Sequence, residues 1–540
     1  MIGIVPKASG ESMPAIKLIQ LHTPMLILIT CLLLFVTALT LIVLRVFLPA
    51  ARYAWLVAAG GSMLALLSVF LWLGQMPFEL VLPAWQPSSL FSTPIHFRAD
   101  EISWPFAVSI AALTLAALLT AVTQPVFVNS FAWVGVLALG SVGILAVTAD
   151  NPFTLLLVWA FLDMTELLTQ LRSVEGKANN EKVVISFSTR AFGLALLLWA
   201  NIVSFSEGNA LTFQSISVSS GLYLVAAAGL RLGVFPLHLP YSSESTLRRG
   251  LGTSLRLISA ASSMVVLAHT PAESLNSVIT PFLIAFALGA ALYGGWIWLR
   301  APDELNGRPH WIISLVSLAV ISALSGNPTG AIAWGCALIL VGGALFLTSV
   351  QINWLNRAML AGAWSLSTLP FSLTASAWVG RLGFFLPFVI AAQALTMAGF
   401  IRHALRPAER DTLDSQPGWA RAVYPVGILL LVSMQIGLGF FGWKGALQIG
   451  AWLQALITSA LTFGLVWATP RFRILNPIRA HWVTSTASRL NVAYQGLWSL
   501  YRLLARISQS IIATLEGEGG IMWTLLFLAL FISLLSQGSR

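Results

Sequence analysis

The sequence predicts an all-α polytopic membrane protein with about 14–16 transmembrane helices. Of its 540 residues, 57% are hydrophobic and only 9% are charged, and the mean hydropathy is +0.85. This apolar share is above that of ordinary globular domains. Apolar runs of about 18 or more residues recur along the whole chain, and each is long enough to cross a hydrocarbon core as a helix. The alternating pattern of a membrane β-barrel is not found.

Sixteen apolar runs are predicted as spans. They lie at 25–46, 53–75, 103–123, 126–148, 151–171, 183–205, 218–237, 251–269, 277–299, 310–325, 328–350, 355–375, 381–402, 421–441, 446–468 and 520–537. The twelfth and thirteenth runs could instead form one broken helix and its neighbour.

The net charge of +10 comes from short basic patches between the apolar runs, which is typical of cytoplasmic loops rather than of a nucleic-acid-binding tract. The patches that follow odd-numbered spans contain Arg45, Arg52, Arg172, Lys177, Lys182, Arg248, Arg249, Arg300, Arg308, Arg357, Arg402, Arg406, Arg410, Arg471 and Arg473. Loops after even-numbered spans are nearly bare, with Arg98 and Lys444 as the main exceptions. This asymmetry favours sixteen spans, with both termini outside a plasma or inner membrane. We expect the lipid bilayer, and no nucleic acid, as a partner.

Residues 470–516 have a different character, because arginines alternate with Leu, Ile and Trp. Apolar positions from Leu497 to Ile512 recur at spacings of three, four and one, which predicts a helix with one wide apolar face. Arg502 and Arg506 argue against a span. The helix could anchor to the lipid surface or brace neighbouring spans on the cytoplasmic side.

Charges inside spans are costly and indicate function. The candidates are Asp163 and Glu166 in the fifth span, Arg190 in the sixth, Arg231 in the seventh, Arg256 in the eighth and Arg381 at a span edge. Asp163 and Arg231 lie at matching depths in two spans that run the same way, so they could form an ion pair. Alternatively, Arg231 snorkels to the cytoplasmic face and Asp163 bonds locally to Thr165 or Gln170.

Two of the apolar segments are interrupted by proline. Pro236 follows Arg231 in "LRLGVFPLHLP", residues 230–240, and Pro370 lies in a segment that continues to Arg381. Proline removes a backbone donor, and irregular backbone at membrane depth is tolerated where it is packed in protein or lines a cavity. Paired interrupted segments are typical of internally repeated ion transporters. His238 is either a polar group at the helix break or a proton relay.

Other patterns carry little chemistry. Cys31 and Cys336 fall inside apolar runs, and the seven histidines show no metal-ligand spacing. "GLGFFG", residues 437–442, stands at a span end instead of a strand-to-helix turn. We expect no catalytic set, no metal site and no cofactor in this chain, and a membrane-embedded enzyme is disfavoured.

Four segments together resemble the antiporter-like membrane subunits of respiratory complex I, Mrp-type cation/proton antiporters and membrane-bound hydrogenases. "LRLGVFPLHLP" resembles the family motif K-x-x-x-x-P-F-H. "ADNPFTLLLVWA" (149–160), "AASSMVV" (260–266) and "LPFSLTASAWVGR" (369–381) resemble its fifth-, eighth- and twelfth-helix motifs. The similarity covers roughly 130–402 in the family's order.

The resemblance implies two inverted five-helix repeats with discontinuous helices and a shortened lateral-type helix. It divides the chain into N-terminal helices (1–125), a first repeat (126–270), a second repeat (277–402), C-terminal helices (403–469), the amphipathic helix (470–517) and a final span (518–540). It also implies other membrane subunits of a multi-subunit complex as partners, with an NADH:quinone oxidoreductase-type translocase as one possible setting.

The departures from the family pattern concern its proton relay. Ala160 follows Trp159 where the family has glutamate, and Arg231 replaces the family's lysine. Arg381 stands where the family has a lysine or glutamate in its twelfth helix. Ser259 or Ala260 stands where the family has a histidine or lysine in its eighth helix, and Arg256 lies one turn away. A buried lysine can release its proton, whereas a guanidinium stays charged.

The sequence therefore predicts an antiporter-like subunit for proton or cation translocation, with ion-path candidates Asp163, Glu166, Arg231, His238, Arg256 and Arg381. The alternative is a structural or coupling subunit that has lost proton conduction, for example in a complex I-like ion-coupled uptake system.

Overall fold

Thirteen helices of the described chain are long and apolar enough to cross a membrane, which confirms the all-α polytopic class. The computed structural model describes residues 25–48, 54–83, 94–123, 130–173, 177–208, 212–239, 249–350, 352–379, 382–406, 417–441 and 447–471, together with 499 and 506. Arg381, nearly all of the predicted amphipathic helix at 470–517 and the final span at 518–540 lie outside these residues.

The first helices and the two strands precede the charged spans. They are α1 (Leu26–Phe47), α2 (Ala54–Trp72), β1 (Phe78–Val81), β2 (His96–Ala99), α3 (Ser103–Thr120) and α4 (Ser130–Thr148). The next helices are α5 (Pro152–Ser173), α6 (Lys177–Ser206), α7 (Val218–Arg231), α8 (Arg249–His269), α9 (Thr280–Arg300) and α10 (Glu304–Leu324). The last are α11 (Pro328–Leu347), α12 (Asn353–Met359), α13 (Ala361–Leu366), α14 (Leu386–Ala404), α15 (Gly418–Phe440) and α16 (Ile449–Arg471).

Three predicted spans are not among the thirteen. The run at 218–237 forms α7 followed by turns, and the run at 355–375 forms the short helices α12 and α13 followed by turns. The third, 520–537, lies outside the described residues. The two interrupted segments are therefore discontinuous, as the prolines predict.

The helices of the bundle differ in burial as whole helices rather than along amphipathic stripes. Helices α3, α8, α10 and α11 are almost wholly enclosed by the other described helices, whereas α1, α2 and α16 expose most of their apolar surface. The exposed apolar residues of the outer helices are suited to contact with lipid tails in the hydrocarbon core of a bilayer. Within the described helices, buried charged side chains lie on α5 to α8 and on α10.

Helix α7 ends in a Schellman motif before it reaches Pro236. The Val234 amide donates to the Gly229 carbonyl at 2.8 Å and the Gly233 amide to the Leu230 carbonyl at 3.2 Å. Gly233 has φ +78°, the left-handed conformation that this cap requires. The sequence prediction attributed the break to proline, but the glycine stops the helix and Pro236 prevents it from resuming.

The second break, after α13, is stabilised by side chains of neighbouring helices. Asn327 donates to the carbonyls of Ser376 and Ala377 at 2.7 and 2.9 Å, and Gln393 donates to the Leu366 carbonyl at 2.8 Å. These amides replace the backbone donors that a continuous helix would supply. Pro370 thus lies in a break packed within protein.

The tenth span begins earlier than predicted. Helix α10 starts at Glu304 instead of 310, and Asp303 caps it by accepting a hydrogen bond from the Asn306 amide at 2.7 Å. Arg308, counted in the sequence as a loop residue, therefore belongs to a helix and is 1% exposed. Its burial adds a charge to the bundle interior that span counting did not reveal.

A short antiparallel hairpin joins α2 to α3, where the sequence predicted only a loop. Strands β1 and β2 pair with Phe78 opposite Ala99 and Val81 opposite His96. His96 lies between Asp150, at 3.0 Å, and Glu79, at 3.3 Å. Burial raises the pKa of the Asp150 carboxyl, while Gln214 and His96 act in the opposite direction.

Candidate functional site

One face of α5 carries a row of buried polar side chains that begins at Trp159. Trp159, Asp163, Glu166 and Gln170 are spaced by four, three and four residues, which places them along a single helical face. All four are at most 1% exposed. Ala160 lies outside this series, so the acids one and two turns on supply the carboxylates of this helix.

Arg231, the last residue of α7, binds Asp163 through both terminal nitrogens. Its Nη1 is 2.5 Å from Oδ2 and its Nη2 is 2.8 Å from Oδ1. A planar guanidinium matches a carboxylate in this two-bond geometry. Of the two alternatives for Arg231, the structure has the ion pair and not the snorkelling side chain.

The Arg231 guanidinium makes three further contacts, the first of which is a hydrogen bond from its Nη1 to the Arg190 carbonyl at 3.4 Å. Its Nε donates to the Ser263 hydroxyl at 3.2 Å, and its carbon lies 4.2 Å from the centre of the Trp159 ring. Trp159 is itself held by a hydrogen bond from its Nε1 to the Ser262 carbonyl at 3.2 Å. The motif residue Trp159 therefore acts as a cation–π platform for the arginine.

A glycine in α6 makes room for the Arg231 stem. A Cβ built on Gly193 would be 2.5 Å from Arg231 Cγ and 3.2 Å from the Ala227 carbonyl oxygen. A carbon–carbon contact of 2.5 Å does not occur in well-packed interiors, and the contact with the carbonyl oxygen is also tight. Helices α6 and α7 can therefore approach closely enough to bury the arginine only because residue 193 lacks a side chain.

Arg190, from α6, joins the second carboxylate to the first. Its Nη1 hydrogen-bonds Glu166 Oε2 and lies 3.9 Å from Asp163 Oδ1. The other oxygen of Glu166 accepts from Gln170 Nε2 at 2.7 Å. Asp163, Glu166, Arg190 and Arg231, hereafter the charged cluster, form a chain of alternating charges with one shared arginine.

Arg256, on α8, adds a positive charge beside the charged cluster. It is 1% exposed, and its charge attracts Glu166. Two carboxylates thus face three arginines in a low-dielectric interior where Coulomb interactions are strong. The arrangement can hold a carboxylate ionised and can accept a proton only at the carboxylates, because guanidinium groups do not titrate.

His238 lies beyond the α7 break. Its Nδ1 is 2.8 Å from the Pro236 carbonyl, so that nitrogen donates, and its Nε2 has no hydrogen-bond partner in the described structure. The Arg190 charge acts on the ring, which indicates proximity to the charged cluster without direct contact. His238 therefore remains compatible with both predicted roles.

The structure brings together part of the predicted set. Asp163, Glu166 and Arg231 are bonded into one cluster with Arg256 adjacent, whereas Pro370 lies in the other break and Arg381 is outside the described residues. Arg190 was recognised as an in-span charge but was not among the ion-path candidates. The sequence does not show that Arg190 lies on the face of α6 that packs against α5. No cluster of three metal-ligating side chains occurs among the residues described.

The fold is similar to that of chains from three complexes of known structure. The Mrp complex from Dietzia sp. DQ12-45-1b matches with a TM-score of 0.67 and 14% identity over 95% of this chain. An archaeal membrane-bound sulfane sulfur reductase matches with a TM-score of 0.65 and 14% identity, covering 93% of this chain and 99% of that one. A chain of respiratory complex I from Thermus thermophilus matches with a TM-score of 0.57 and 17% identity, covering 75% of this chain and 97% of that one.

These matches confirm the resemblance at the level of the fold alone. The chain spans 63% of the length of the Mrp chain that it matches. No protein-family model and no curated protein sequence matches it.

Proposed function

We propose that this chain is an antiporter-like membrane subunit of a multi-subunit complex and takes part in proton or cation translocation. The support comes from the shared fold and from the charged cluster, which is fully buried next to a discontinuous helix. Ionisable groups inside membrane segments are costly to bury, and for that reason they usually mark an ion path.

One observation carries the proposal: Arg190 Nη1 hydrogen-bonds Glu166 and lies 3.9 Å from Asp163 Oδ1. A proton arriving at Glu166 would cancel its charge and weaken its hold on Arg190. Arg190 would then turn to Asp163 and compete with Arg231 for that carboxylate. In this mechanism the arginines move charge without titrating, and Glu166 carries the proton that a lysine carries in the family motif.

His238 and the α7 break supply a route for the proton on one side of the charged cluster. The unpartnered Nε2 of His238 can accept a hydrogen bond from water, and the α7 backbone is irregular from Leu232 to Leu237. Discontinuous helices at membrane depth are the usual setting of ion sites in repeated transporters.

The experiment is co-purification from native membranes through a tag on this chain, followed by reconstitution into liposomes. We expect other membrane subunits to be recovered and a proton flux, driven by an imposed potential and read with an internal pH dye, above that of empty liposomes. Recovery of the chain alone, with no flux, would contradict the proposal.

A structural or coupling subunit is the second candidate. It is favoured by the two-bond pairing of Arg231 with Asp163, because a tightly bonded pair with a permanently charged arginine is a poor proton carrier. This candidate predicts co-purification with partner subunits but no flux, and partner loss when the pair is broken. The same reconstitution therefore separates the two candidates.

A further inference from the structure

A cavity of about 270 Å³ lies where the starts of α8 and α10 meet the ends of α11 and α14. Its lining includes Arg249, Glu304, Thr348, His403 and Arg406. All of these residues lie at the ends of odd-numbered spans or in the loops that follow them, which the distribution of basic residues assigns to the cytoplasmic side. The volume is just below that of typical small-ligand pockets, about 300 Å³ and more.

The two carboxylates in the lining, Asp303 and Glu304, already have hydrogen-bond partners. Glu304 accepts from Arg249 Nη1 at 2.7 Å, and Asp303 accepts from the backbone and side chain of Asn306 at 2.7 and 2.6 Å. Arg406 forms no salt bridge in the described part of the chain, and its Nη1 is buried without a hydrogen-bond partner. The cavity therefore presents a guanidinium donor that has no carboxylate partner among the described residues.

A second arginine adds positive charge one helical turn deeper. Arg308 follows Glu304 by four residues and is 1% exposed. Its Nη1 donates to the Thr253 hydroxyl at 3.0 Å, and no carboxylate of the described chain forms a salt bridge with it. Glu304 attracts Arg308 without bonding to it and is already paired with Arg249. A buried guanidinium without a bonded carboxylate is costly, so the region around the cavity favours an added anion.

His403 contributes an unsatisfied acceptor. It is 4% exposed, and its Nε2 lies 3.1 Å from the Trp298 carbonyl. A carbonyl can only accept, so Nε2 carries the proton and Nδ1 of the neutral ring is an acceptor. Nδ1 is buried without a partner. The cavity thus offers a cationic donor and a neutral acceptor to one ligand.

We propose that this cavity binds a phosphate group carried next to a hydroxyl, as in the glycerophosphate headgroup of an anionic phospholipid or in free glycerol phosphate. Arg406 donates to the phosphate oxygens, the phosphate charge offsets that of Arg308, and a glycerol hydroxyl donates to His403 Nδ1. Basic pockets between helices at the cytoplasmic surface are suited to anionic headgroups. This site is independent of the charged cluster and of whether the chain conducts protons.

The test measures ligand-induced stabilisation of the delipidated full chain in detergent. The probes are phosphatidylglycerol, phosphatidylcholine, phosphatidic acid and glycerol 3-phosphate. We expect phosphatidylglycerol to raise the unfolding midpoint more than phosphatidylcholine does. Arg406→Gln should weaken the apparent affinity about tenfold or more, the value of one charge-assisted hydrogen bond. The matched control is Arg357→Gln, an exposed arginine on the same predicted side that does not line the cavity.

His403→Phe is the second variant, because it keeps a ring in place and removes only the acceptor. It should reduce the preference for phosphatidylglycerol over phosphatidic acid, which has no glycerol hydroxyl. Stabilisation by phosphatidylglycerol but not glycerol 3-phosphate would identify a lipid ligand, and equal stabilisation a free one. The proposal is overturned if phosphatidylglycerol and phosphatidylcholine act alike on the unmodified chain, or if Arg357→Gln weakens binding as much as Arg406→Gln.

Discussion

Arg231 and Asp163 are joined by two parallel hydrogen bonds, Nη1 to Oδ2 at 2.5 Å and Nη2 to Oδ1 at 2.8 Å, with both side chains buried. The pair connects α5 to the last residue of α7, immediately before that helix breaks. A lysine could not form this fork, because its ammonium is a single point charge. Position 231 is therefore occupied by a fixed charge with a defined geometry.

The pair should show strong energetic coupling. Arg231→Met and Asp163→Asn should each lower the free energy of unfolding by about 3–5 kcal/mol, because each leaves a buried charge without its partner. The double variant should lose clearly less than the sum. The measurement is a double-mutant cycle on the detergent-solubilised chain.

The control cycle uses Arg98 and Glu79, whose nitrogen and oxygen are 3.0 Å apart but whose side chains are 23% and 46% exposed. An exposed pair should give a coupling of at most about 1 kcal/mol. Equal coupling in the two cycles would refute the idea that burial strengthens the Arg231–Asp163 pair.

Gly193→Ala should push α6 away from Arg231. The new Cβ would contact Arg231 Cγ and the Ala227 carbonyl. The expected loss of stability is about 1–3 kcal/mol, as for other overpacked interiors. Gly289→Ala is the control, because a Cβ there meets no atom within 4 Å, and it should be neutral or stabilise by up to about 1 kcal/mol. Thermal unfolding of both variants tests this, and a stable Gly193→Ala chain would contradict it.

Gly233 should tolerate asparagine better than alanine. Its φ of +78° lies in the left-handed region, where alanine costs about 1–2 kcal/mol and asparagine costs less. We expect a lower unfolding temperature for Gly233→Ala than for Gly233→Asn. If the two unfold at the same temperature, proline alone must account for the end of α7.

The sequence predicted, in order, the thirteen membrane-crossing helices of the described chain, together with both interrupted segments and the matching depths of Asp163 and Arg231, because hydropathy and proline act locally. The bonding of Arg190 to Glu166 could not be predicted, because it depends on how α6 rotates against α5. Arg308 was misassigned for a similar reason: hydropathy places a span boundary by its most apolar residues, while the Asp303 cap extends α10 into a polar stretch. The hairpin at β1 and β2 is too short to show strand alternation.

Asp150 should make stability depend on pH. Burial raises the pKa of its carboxyl in the folded chain, so the same carboxyl ionises at a lower pH in the unfolded chain. Between the two pKa values, ionisation stabilises the unfolded chain relative to the folded one. The contribution of Asp150 to folding is therefore greatest below the ordinary aspartate pKa and declines as pH rises through the raised value. Unfolding temperatures between acidic and neutral pH should show this decline in the unmodified chain.

Asp150→Asn should flatten that part of the profile, because an amide does not titrate. His96 and Glu79 are retained in this variant, so the difference between the two chains isolates the carboxyl. Glu101→Gln, an exposed acid near the same surface, serves as the control and should leave the profile unchanged. A decline of the same size in Asp150→Asn would exclude Asp150 as its source.

The most direct measurement compares proton flux through liposomes that contain the complex purified with unmodified chain or with Glu166→Gln. Glutamine keeps the size of the side chain and can still bond to Arg190 and Gln170, but it cannot carry a proton. We predict that Glu166→Gln lowers the flux to the level of liposomes without protein, while Glu101→Gln leaves it unchanged and both complexes elute intact. Undiminished flux in an intact Glu166→Gln complex would contradict the role of Glu166 as the proton carrier.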